Sequence, residues 1–380
     1  MPVSRFSGLV GSTCVLVIAL ASSSALAIDV SIPIVMPITG FMSVEGGAQR
    51  NGASMALERA PANVKVHSEI YDTGTSATGA AAALDKALSA RPAIAAAISI
   101  FGTEVVAMMP VAKEFRVPML TISGLSRVTE SDNPYMFRFL PNDREIKVAH
   151  ARYVVEKLNK KKIALVGDLT AYGQGGFKLL QEYFGKLGVK PVLEDSVAPD
   201  AKDMSPLLRK VRDSGADVIV IHTVAQPMAL ILKQARVAGI DLPIVNGSSI
   251  VEPHITSLFE PKELANVCAE TPSVPEARAT PEMKAWADAY KAKFGLEPDG
   301  LALGQYDGVT MALALIGAGA DTPEKLIAAF HRTTYKGVAM TYKSNGKGDM
   351  SHDADIVCWN GTSRIPSQAA HYAGEEMILK

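Results

Sequence analysis

Segments typical of β-strands alternate with segments typical of α-helices, and this alternation constrains the fold more than any other feature of the sequence. Strands are predicted at 30–36, 64–71, 93–100, 118–122, 135–140, 163–166, 190–195, 217–223 and 243–246. Helices are predicted at 47–60, 77–90, 105–115, 144–158, 175–187, 204–214 and 227–238. Strands at this spacing, with helices in the intervals, form βαβ units and parallel sheets. The series restarts near residues 140–148, which predicts an α/β protein with two sheets in two lobes.

Length and composition agree with two such lobes. A chain of 380 residues is long enough for about two domains, and its 48% hydrophobic and 20% charged residues exclude a disordered chain. The net charge is −1, without runs of one sign, which argues against binding of nucleic acid or of an anionic membrane. Ligands of parallel α/β folds bind at the carboxyl ends of strands, so functional residues are expected in the turns that follow the predicted strands.

The first 27 residues have the three parts of a secretory signal peptide. Arg5 provides the positive start, residues 9–21 form an apolar run, and residues 22–27 end in an Ala-x-Ala site. We therefore expect cleavage after Ala27 and export to an oxidising compartment. An uncleaved membrane anchor is the alternative, but the apolar run is short for a bilayer span and small residues follow it.

Cleavage would leave two cysteines, Cys268 and Cys358, both in strand-like segments. In an oxidising compartment they either form a disulfide or remain two thiols, because sequence alone does not give the distance between the sulfur atoms. The sequence contains no C-x-x-C motif, so metal binding or redox chemistry at cysteine is not expected.

The common catalytic and nucleotide-binding motifs are absent from the sequence. It contains no G-x-S-x-G, G-x-x-x-x-G-K-[ST], H-E-x-x-H or G-x-G-x-x-G motif. The glycine-rich run at 172–176 resembles a phosphate loop but lacks the Lys and Ser/Thr that a nucleotide site needs. Since no nucleophile is found with a base, we expect a protein that is not an enzyme and that needs no cofactor and no metal. An exported enzyme remains an alternative.

Eight segments stand out by their order and spacing: residues 34–40, 45–46, 51–53, 70–73, 117–124, 166–168, 171–173 and 232–239. Together they resemble the periplasmic substrate-binding proteins of ABC transporters, of the leucine/isoleucine/valine-binding type. The resemblance covers essentially the whole chain after the signal peptide. It implies the type I periplasmic binding fold, with two Rossmann-like lobes joined by a three-crossover hinge.

The resemblance also implies where the lobes divide. The first lobe is expected at 28–143 plus 275–352, and the second at 145–272 plus 353–380. The three hinge crossings are expected near 141–147, 271–277 and 351–357. Such a protein binds a small molecule between its lobes and presents it to permease subunits in the inner membrane, and we expect a periplasmic monomer. A receptor that passes a signal to a membrane regulator would have the same fold.

The resemblance places ligand contacts at ten positions: Glu45, Gly102, Thr103, Ser123, Gly124, Leu125, Ser126, Tyr172, Val224 and Ser248. Gly102 and Thr103, together with the loop 123–126, would hold a carboxylate through backbone N–H groups and hydroxyls. Tyr172 would cover the ligand from the second lobe.

Two second-lobe positions depart from the pattern of amino-acid binders. Val224 and Ser248 stand where the family commonly has an aromatic residue and a carboxylate that holds the ligand's ammonium. Neither side chain supplies a negative charge, so Glu45 becomes the candidate partner of an ammonium. The ligand is therefore either a branched-chain or related amino acid, or an aromatic or aliphatic carboxylate or amide.

Overall fold

The computed structural model describes residues 1–3, 27–277 and 279–379. Most of the predicted signal peptide lies outside these residues, and its cleavage stays a prediction. Among the helices of the described residues, none combines the length and the apolar character that a membrane crossing requires.

Strands and helices alternate as predicted, except that the predicted strands 30–36 and 64–71 are each divided into two strands. The strands are β1 (Ile28–Ser31), β2 (Ile34–Met36), β3 (Val64–His67), β4 (Ile70–Asp72), β5 (Ala96–Ile98), β6 (Met119–Thr121), β7 (Met136–Arg138), β8 (Ile163–Asp168), β9 (Leu193–Val197), β10 (Val218–His222), β11 (Ile244–Asn246), β12 (Val267–Thr271), β13 (Thr334–Lys336), β14 (Thr341–Lys343), β15 (Ala354–Trp359) and β16 (Ser367–Tyr372). The α-helices are α1 (Ser43–Leu57), α2 (Ala77–Ala90), α3 (Gly102–Phe115), α4 (Arg127–Glu130), α5 (Asp143–Arg152), α6 (Ala171–Lys186), α7 (Ser205–Asp213), α8 (Ala225–Val237), α9 (Pro253–Thr256), α10 (Pro281–Phe294), α11 (Gly300–Gly317) and α12 (Pro323–Arg332). A π-helical turn, Tyr153–Lys157, continues α5. Of the divided strands, β1 and β3 pair with each other in a separate small sheet.

The first sheet has the strand order β4-β2-β5-β6-β7 and is parallel throughout. Successive residues of a strand point to opposite faces, and both faces of this sheet are apolar. Ile34 and Met36 of β2 pack with α1 and α11 in one core cluster, whereas Val35 packs with α2 and α3 in another. Helices therefore cover both faces, as the alternation predicts. This sheet and its helices form the first lobe.

The second sheet has the order β16-β15-β12-β11-β10-β8-β9 and, with its helices, forms the second lobe. The strands from β8 to β12 are parallel, whereas β15 and β16 run antiparallel at one edge. The prediction of a parallel sheet is therefore correct for most of this lobe and incomplete for its C-terminal pair. The connection between β15 and β16 is short, and a short connection can join only antiparallel neighbours.

Three helices begin earlier than predicted. They start at Ser43, Gly102 and Ala171 rather than at 47, 105 and 175. Their first turns contain glycine or polar residues, which interrupt the apolar periodicity used to find helices, although the first turn needs no apolar face. As a result Glu45, Thr103 and Tyr172, which were expected in loops, lie in the first turns of helices.

The chain passes between the two sheets three times, after β7, after β12 and after β14. A buried ion pair joins the first and last of these passages. Arg138 ends β7 and Asp349 follows β14, and their Nε and Oδ1 atoms are 2.8 Å apart. The pair holds two chain segments together at the boundary between the lobes.

Cys268 and Cys358 form a disulfide. They lie directly opposite each other on β12 and β15, with Cα atoms 4.0 Å apart. Of the two alternatives that the sequence left open, the structure therefore shows the disulfide. It links the last parallel strand of the second sheet to the C-terminal antiparallel pair.

Candidate ligand-binding site

A cavity of about 60 Å³ lies between the two lobes, at the carboxyl ends of the parallel strands. Residues at the N-terminal ends of α1, α3, α6 and α8 line it. Much of its wall is apolar and consists of Ile100, Phe101, Leu140, Ile146, Val224 and Leu301. Its carboxyl groups belong to Glu45, Asp143, Glu252 and Glu270. The space is thus an apolar chamber with several acidic groups.

Six of the ten predicted contact residues line this cavity, and four do not. Those in the wall are Glu45, Gly102, Gly124, Tyr172, Val224 and Ser248. Those outside the wall are Thr103, Ser123, Leu125 and Ser126. Ser123 adjoins the wall, because a Cβ on Gly102 would stand 3.7 Å from its Oγ. Thr103 is half-buried and is not part of the wall.

The N-terminus of α3 forms a site suited to an anion. This helix has no side-chain cap, and the first N–H groups of a helix have no partner within it. The backbone N–H groups of Ile100 and Phe101, just before the helix, are bound by Gln49 and Ser99 at 2.9 Å each. The N–H groups of Glu104 and Val105 donate to the carbonyl oxygen of Phe101 at 2.9 and 3.0 Å, which leaves those of Gly102 and Thr103 for an anion. Beside Gly102 lies the buried Oγ of Ser123, which has no hydrogen-bond partner among the described residues.

The buried guanidinium of Arg138 fixes the loop beside this helix. It donates to the carbonyl oxygens of Ser123, Gly124 and Leu125 at 3.1, 3.0 and 2.8 Å. Asp349 balances the charge of this guanidinium. Burial alone would raise the pKa of Asp349, but the positive charge of Arg138 holds that pKa below its ordinary value. Because these carbonyl oxygens are turned to Arg138, they do not repel an anion in the cavity.

Asp143, the first residue of α5, lies next to Gly124. A Cβ on Gly124 would stand 2.6 Å from Oδ1 of Asp143. Lys147 is 3.5 Å from the same carboxylate but makes a closer ion pair with Glu270, whose other oxygen is 3.0 Å from Nδ1 of His150. Burial lowers the pKa of Lys147 to about 8. Oδ2 of Asp143 is buried without a partner among the described residues, so it is available to a ligand.

Glu45 and Glu252 face each other from opposite lobes. One carboxylate oxygen of each glutamate and one ring nitrogen of His254 lie within 4.8 Å of one another. Both glutamates are only 5% exposed, and Oε2 of each has no hydrogen-bond partner among the described residues. Burial, with the negative charge of Asp299, raises the pKa of Glu45 to about 7. Burial and the charge of Glu45 raise the pKa of Glu252 well above its ordinary value.

The position of Glu45 depends on its neighbour Gly46. A Cβ on Gly46 would stand 2.0 Å from the carbonyl oxygen of Pro37, a distance that no side chain tolerates. Glycine therefore lets α1 start directly against the segment that follows β2. This close approach holds Glu45 in the first turn of α1, at the cavity wall.

Tyr172 is held in place by residues of the second lobe. Its ring packs on His222 with the ring centres 4.1 Å apart, and Nε2 of His222 lies 3.1 Å from the carbonyl oxygen of Tyr172. Asp168 accepts hydrogen bonds from the backbone N–H groups of Thr170 and Val224 at 2.8 and 2.6 Å. Asp168 thus shapes the two loops at the second-lobe side of the cavity and does not line it.

Sequence reasoning missed Asp143, Glu252, Glu270 and the supporting Arg138. Glu252 had a signal in the sequence, because it lies in the same connection as Ser248 and directly precedes Pro253, a residue that favours the first position of a helix. Asp143 also had a signal in the sequence, because Asn142 is a residue type that commonly caps helices and Asp143 directly follows it as the first residue of α5. The pairing of Glu45 with Glu252 had none, because it depends on how the two lobes meet.

Comparison with known proteins gives relatives along nearly the whole chain. The model of a family described as periplasmic binding protein matches residues 29–364. An amino acid binding protein of Pseudomonas aeruginosa is 28% identical over 326 residues, which cover 81% of this chain and 86% of the relative.

Solved structures share the fold. A leucine binding protein from Thermotoga maritima has a TM-score of 0.83 at 22% identity, over 91% of this chain and 99% of the other. A solute binding protein of an ABC transporter from Rhodopseudomonas palustris BisB5, in complex with 3,4-dihydroxybenzoic acid, has a TM-score of 0.81 at 19% identity, over 91% and 96%. With a family match across most of its length and an interlobe cavity at the sheet edges, the chain belongs to the periplasmic binding protein family.

Proposed function

We propose that this protein is the solute-binding component of an ABC importer and that its ligand is a small α-amino acid held between the two lobes. Residues 1–27 would direct export to the periplasm and be cleaved after Ala27. The mature monomer would divide into lobes at 28–143 plus 275–352 and at 145–272 plus 353–380. Its closed form would be recognised by permease subunits, and we expect binding without turnover of the ligand.

The charge of the cavity is the observation that carries this proposal. Glu45, Asp143, Glu252 and Glu270 line it, and the adjacent Lys147 is already paired with Glu270. A carboxylate ligand with an uncharged tail would add negative charge to this site, which is unfavourable at short distance. An amino acid brings a positive group with its carboxylate, so it suits the excess of acidic groups.

Two neighbouring features suit the two charged groups of an α-amino acid. The carboxylate would bind the free N–H groups at the start of α3, near Ser123. The ammonium is bonded to the same carbon as the carboxylate, so its partner must lie beside this anion site. Asp143, in contact with Gly124, meets that condition, and we therefore assign the α-ammonium to Asp143 rather than to Glu45.

Binding of this kind would also favour closure. A ligand shifts a two-state equilibrium only by binding one state more tightly. The anion site at α3 belongs to the first lobe, whereas Tyr172, Val224 and Ser248 belong to the second. A ligand that touches both sets would stabilise the closed form over the open one.

A thermal-shift screen across α-amino acids, aliphatic carboxylates, aromatic carboxylates such as benzoate, and amides tests the proposal. An amino acid at one hundred times its dissociation constant should stabilise the protein by about 2.7 kcal/mol. The corresponding acids without the amino group should give no shift. Stabilisation by benzoate together with no response to any amino acid would replace the proposal by the aromatic-acid alternative.

A further inference from the structure

Glu45, Glu252 and His254 form an acidic cluster that is separate from Asp143. The proposed contacts with the α-ammonium and the carboxylate of the ligand do not use this cluster. Within the described part of the chain, Glu45 takes part in no ion pair, and the basic group nearest to Glu252 that forms an ion-pair contact with it is His254, at 3.6 Å. Yet both carboxyl groups are nine-tenths buried, and one oxygen of each is without a hydrogen-bond partner. A buried carboxylate without a partner is costly, and either protonation or a positively charged group of a ligand relieves that cost.

The size of the cluster suits a primary ammonium. Three atoms that lie within 4.8 Å of one another have a common point at most about 2.8 Å from each, and N⁺–H···O⁻ hydrogen bonds are about 2.7–2.9 Å long. An ammonium has three N–H donors for these three acceptors. The same spacing admits a metal ion, since zinc needs donors at about 2.0–2.2 Å, so metal binding is one of the outcomes tested below.

The cluster lies at the outer end of the cavity. Glu45 lines both the cavity and an open apolar groove outside it, and His254 lines that groove. Asp143 and Gly124 line the cavity but not the groove. A ligand whose α-carbon lies at Asp143 would thus extend its side chain toward Glu45 and Glu252.

We propose that Glu45, Glu252 and His254 bind a primary ammonium at the end of the ligand's side chain. This inference rests on the proposed function and narrows its ligand to α-amino acids with a second amine, the chemistry of ornithine. Neutral Nδ1 or Nε2 of His254 accepts one N–H, and the two carboxyl groups accept the others. The apolar wall between the two acidic sites contacts the methylene chain that joins the two amines.

Calorimetric titration with ornithine and norvaline tests the inference, because these amino acids share a carbon chain and differ in the terminal amine. Ornithine should bind the wild-type protein tenfold to a hundredfold more tightly than norvaline, the usual effect of hydrogen bonds to a charged group. Glu252→Gln keeps the shape, removes one charge and should bring the two affinities within about threefold. Glu45→Gln should do the same. Glu114→Gln, at an exposed position of α3, is the matched control and should preserve the preference.

Each contrary outcome has a distinct meaning. Equal affinities of wild-type protein for ornithine and norvaline would overturn the second-amine site and leave the amino-acid function intact. Binding of neither compound, with no response to other amino acids, would overturn both proposals. A rise in melting temperature with ZnCl₂ or MnCl₂ alone, present in wild type and absent in Glu252→Gln, would overturn the ammonium site in favour of a metal site.

Discussion

Two buried charge clusters lie at the boundary between the lobes, and they differ in how completely their polar atoms are partnered. Arg138 donates to three carbonyl oxygens and to Asp349, which also accepts from Asn142 and Asn345. In contrast, Glu45 and Glu252 each have a buried oxygen without a partner among the described residues.

This difference separates charges that support the fold from charges that are free for a ligand. A fully hydrogen-bonded ion pair fixes the chain segments that it joins, and removing one partner leaves the other charge buried and uncompensated. An unpartnered acidic pair should lower the stability of the empty protein, and under our proposal a bound cation relieves the repulsion. Substitutions in the two clusters should therefore change stability in opposite directions.

The largest effect is expected for Arg138→Met. It leaves Asp349 buried without its cation and frees the carbonyl oxygens of the loop 123–125, so the free energy of unfolding should fall by about 3–5 kcal/mol. Urea denaturation measures this loss. The double variant Arg138→Met with Asp349→Leu should recover much of it, because no buried charge then lacks a partner. A loss below about 1 kcal/mol in the single variant would contradict the supporting role.

Glu45→Gln should instead stabilise the unliganded protein, and only at pH values at which Glu45 is ionised in the wild type. Burial raises its pKa to about 7 in the folded state, above the value of about 4.3 in an unfolded chain. The wild-type protein therefore loses stability relative to the variant as pH rises from about 4 through 7, by up to about 3 kcal/mol. The carboxyl groups of Glu252 and Asp299 and the ring of His254 face the same region and remain in the variant, where the loss of the charge of Glu45 removes one cause of the raised pKa of Glu252.

Denaturation at pH 4.5 and pH 8 gives the measurement for Glu45→Gln. The variant and the wild type should unfold alike at pH 4.5, and the variant should be more stable at pH 8. Lower stability of the variant at pH 8 would show that Glu45 has a stabilising partner and does not belong with the unpartnered groups.

A smaller effect is expected at the anion site, on affinity rather than on stability. Ser123→Ala should weaken amino-acid binding by about 1.5–3 kcal/mol, roughly tenfold to a hundredfold, because a hydroxyl next to a charged group is lost. Thr103→Ala, for which the sequence alone predicts this effect, should change affinity less than threefold, since Thr103 is only half-buried and, unlike Ser123, has no buried hydroxyl oxygen left without a partner in the described part of the chain. Calorimetry on the two variants compares them. The reverse order of effects would restore the assignment to Thr103.

The sequence predicted the fold well because the βαβ pattern is local. Apolar runs, helix periodicity and turn residues identified the parallel strands of both sheets, whereas β13, β14 and β16 and the antiparallel direction of β15 were missed. The helix starts were less well predicted, because Gly102 and Ala171 begin first turns that carry no apolar signature.

The residues of the cavity wall were predicted in part, because the resemblance to a known family assigned contacts to the turns after the strands. Gly124 and Tyr172, assigned in this way, line the wall. Glu252 and Asp143 were not assigned, since their roles depend on which residues of the opposite lobe or of the neighbouring loop they meet. The sequence around Arg138 predicts only a strand and gives no sign of its supporting role. That role depends on Asp349, which is distant in sequence and which the fold brings beside it.

The most direct test of the central claim, that the cavity accepts an ammonium, compares leucine with 4-methylpentanoate by calorimetric titration at pH 7.5. The two compounds share a carbon skeleton and a carboxylate, and only leucine has the ammonium. The arrangement of Asp143 beside Gly124 predicts measurable binding of leucine and binding of 4-methylpentanoate at least tenfold weaker. Equal or tighter binding of 4-methylpentanoate would contradict it, because the acidic groups would then give no advantage to a positively charged ligand.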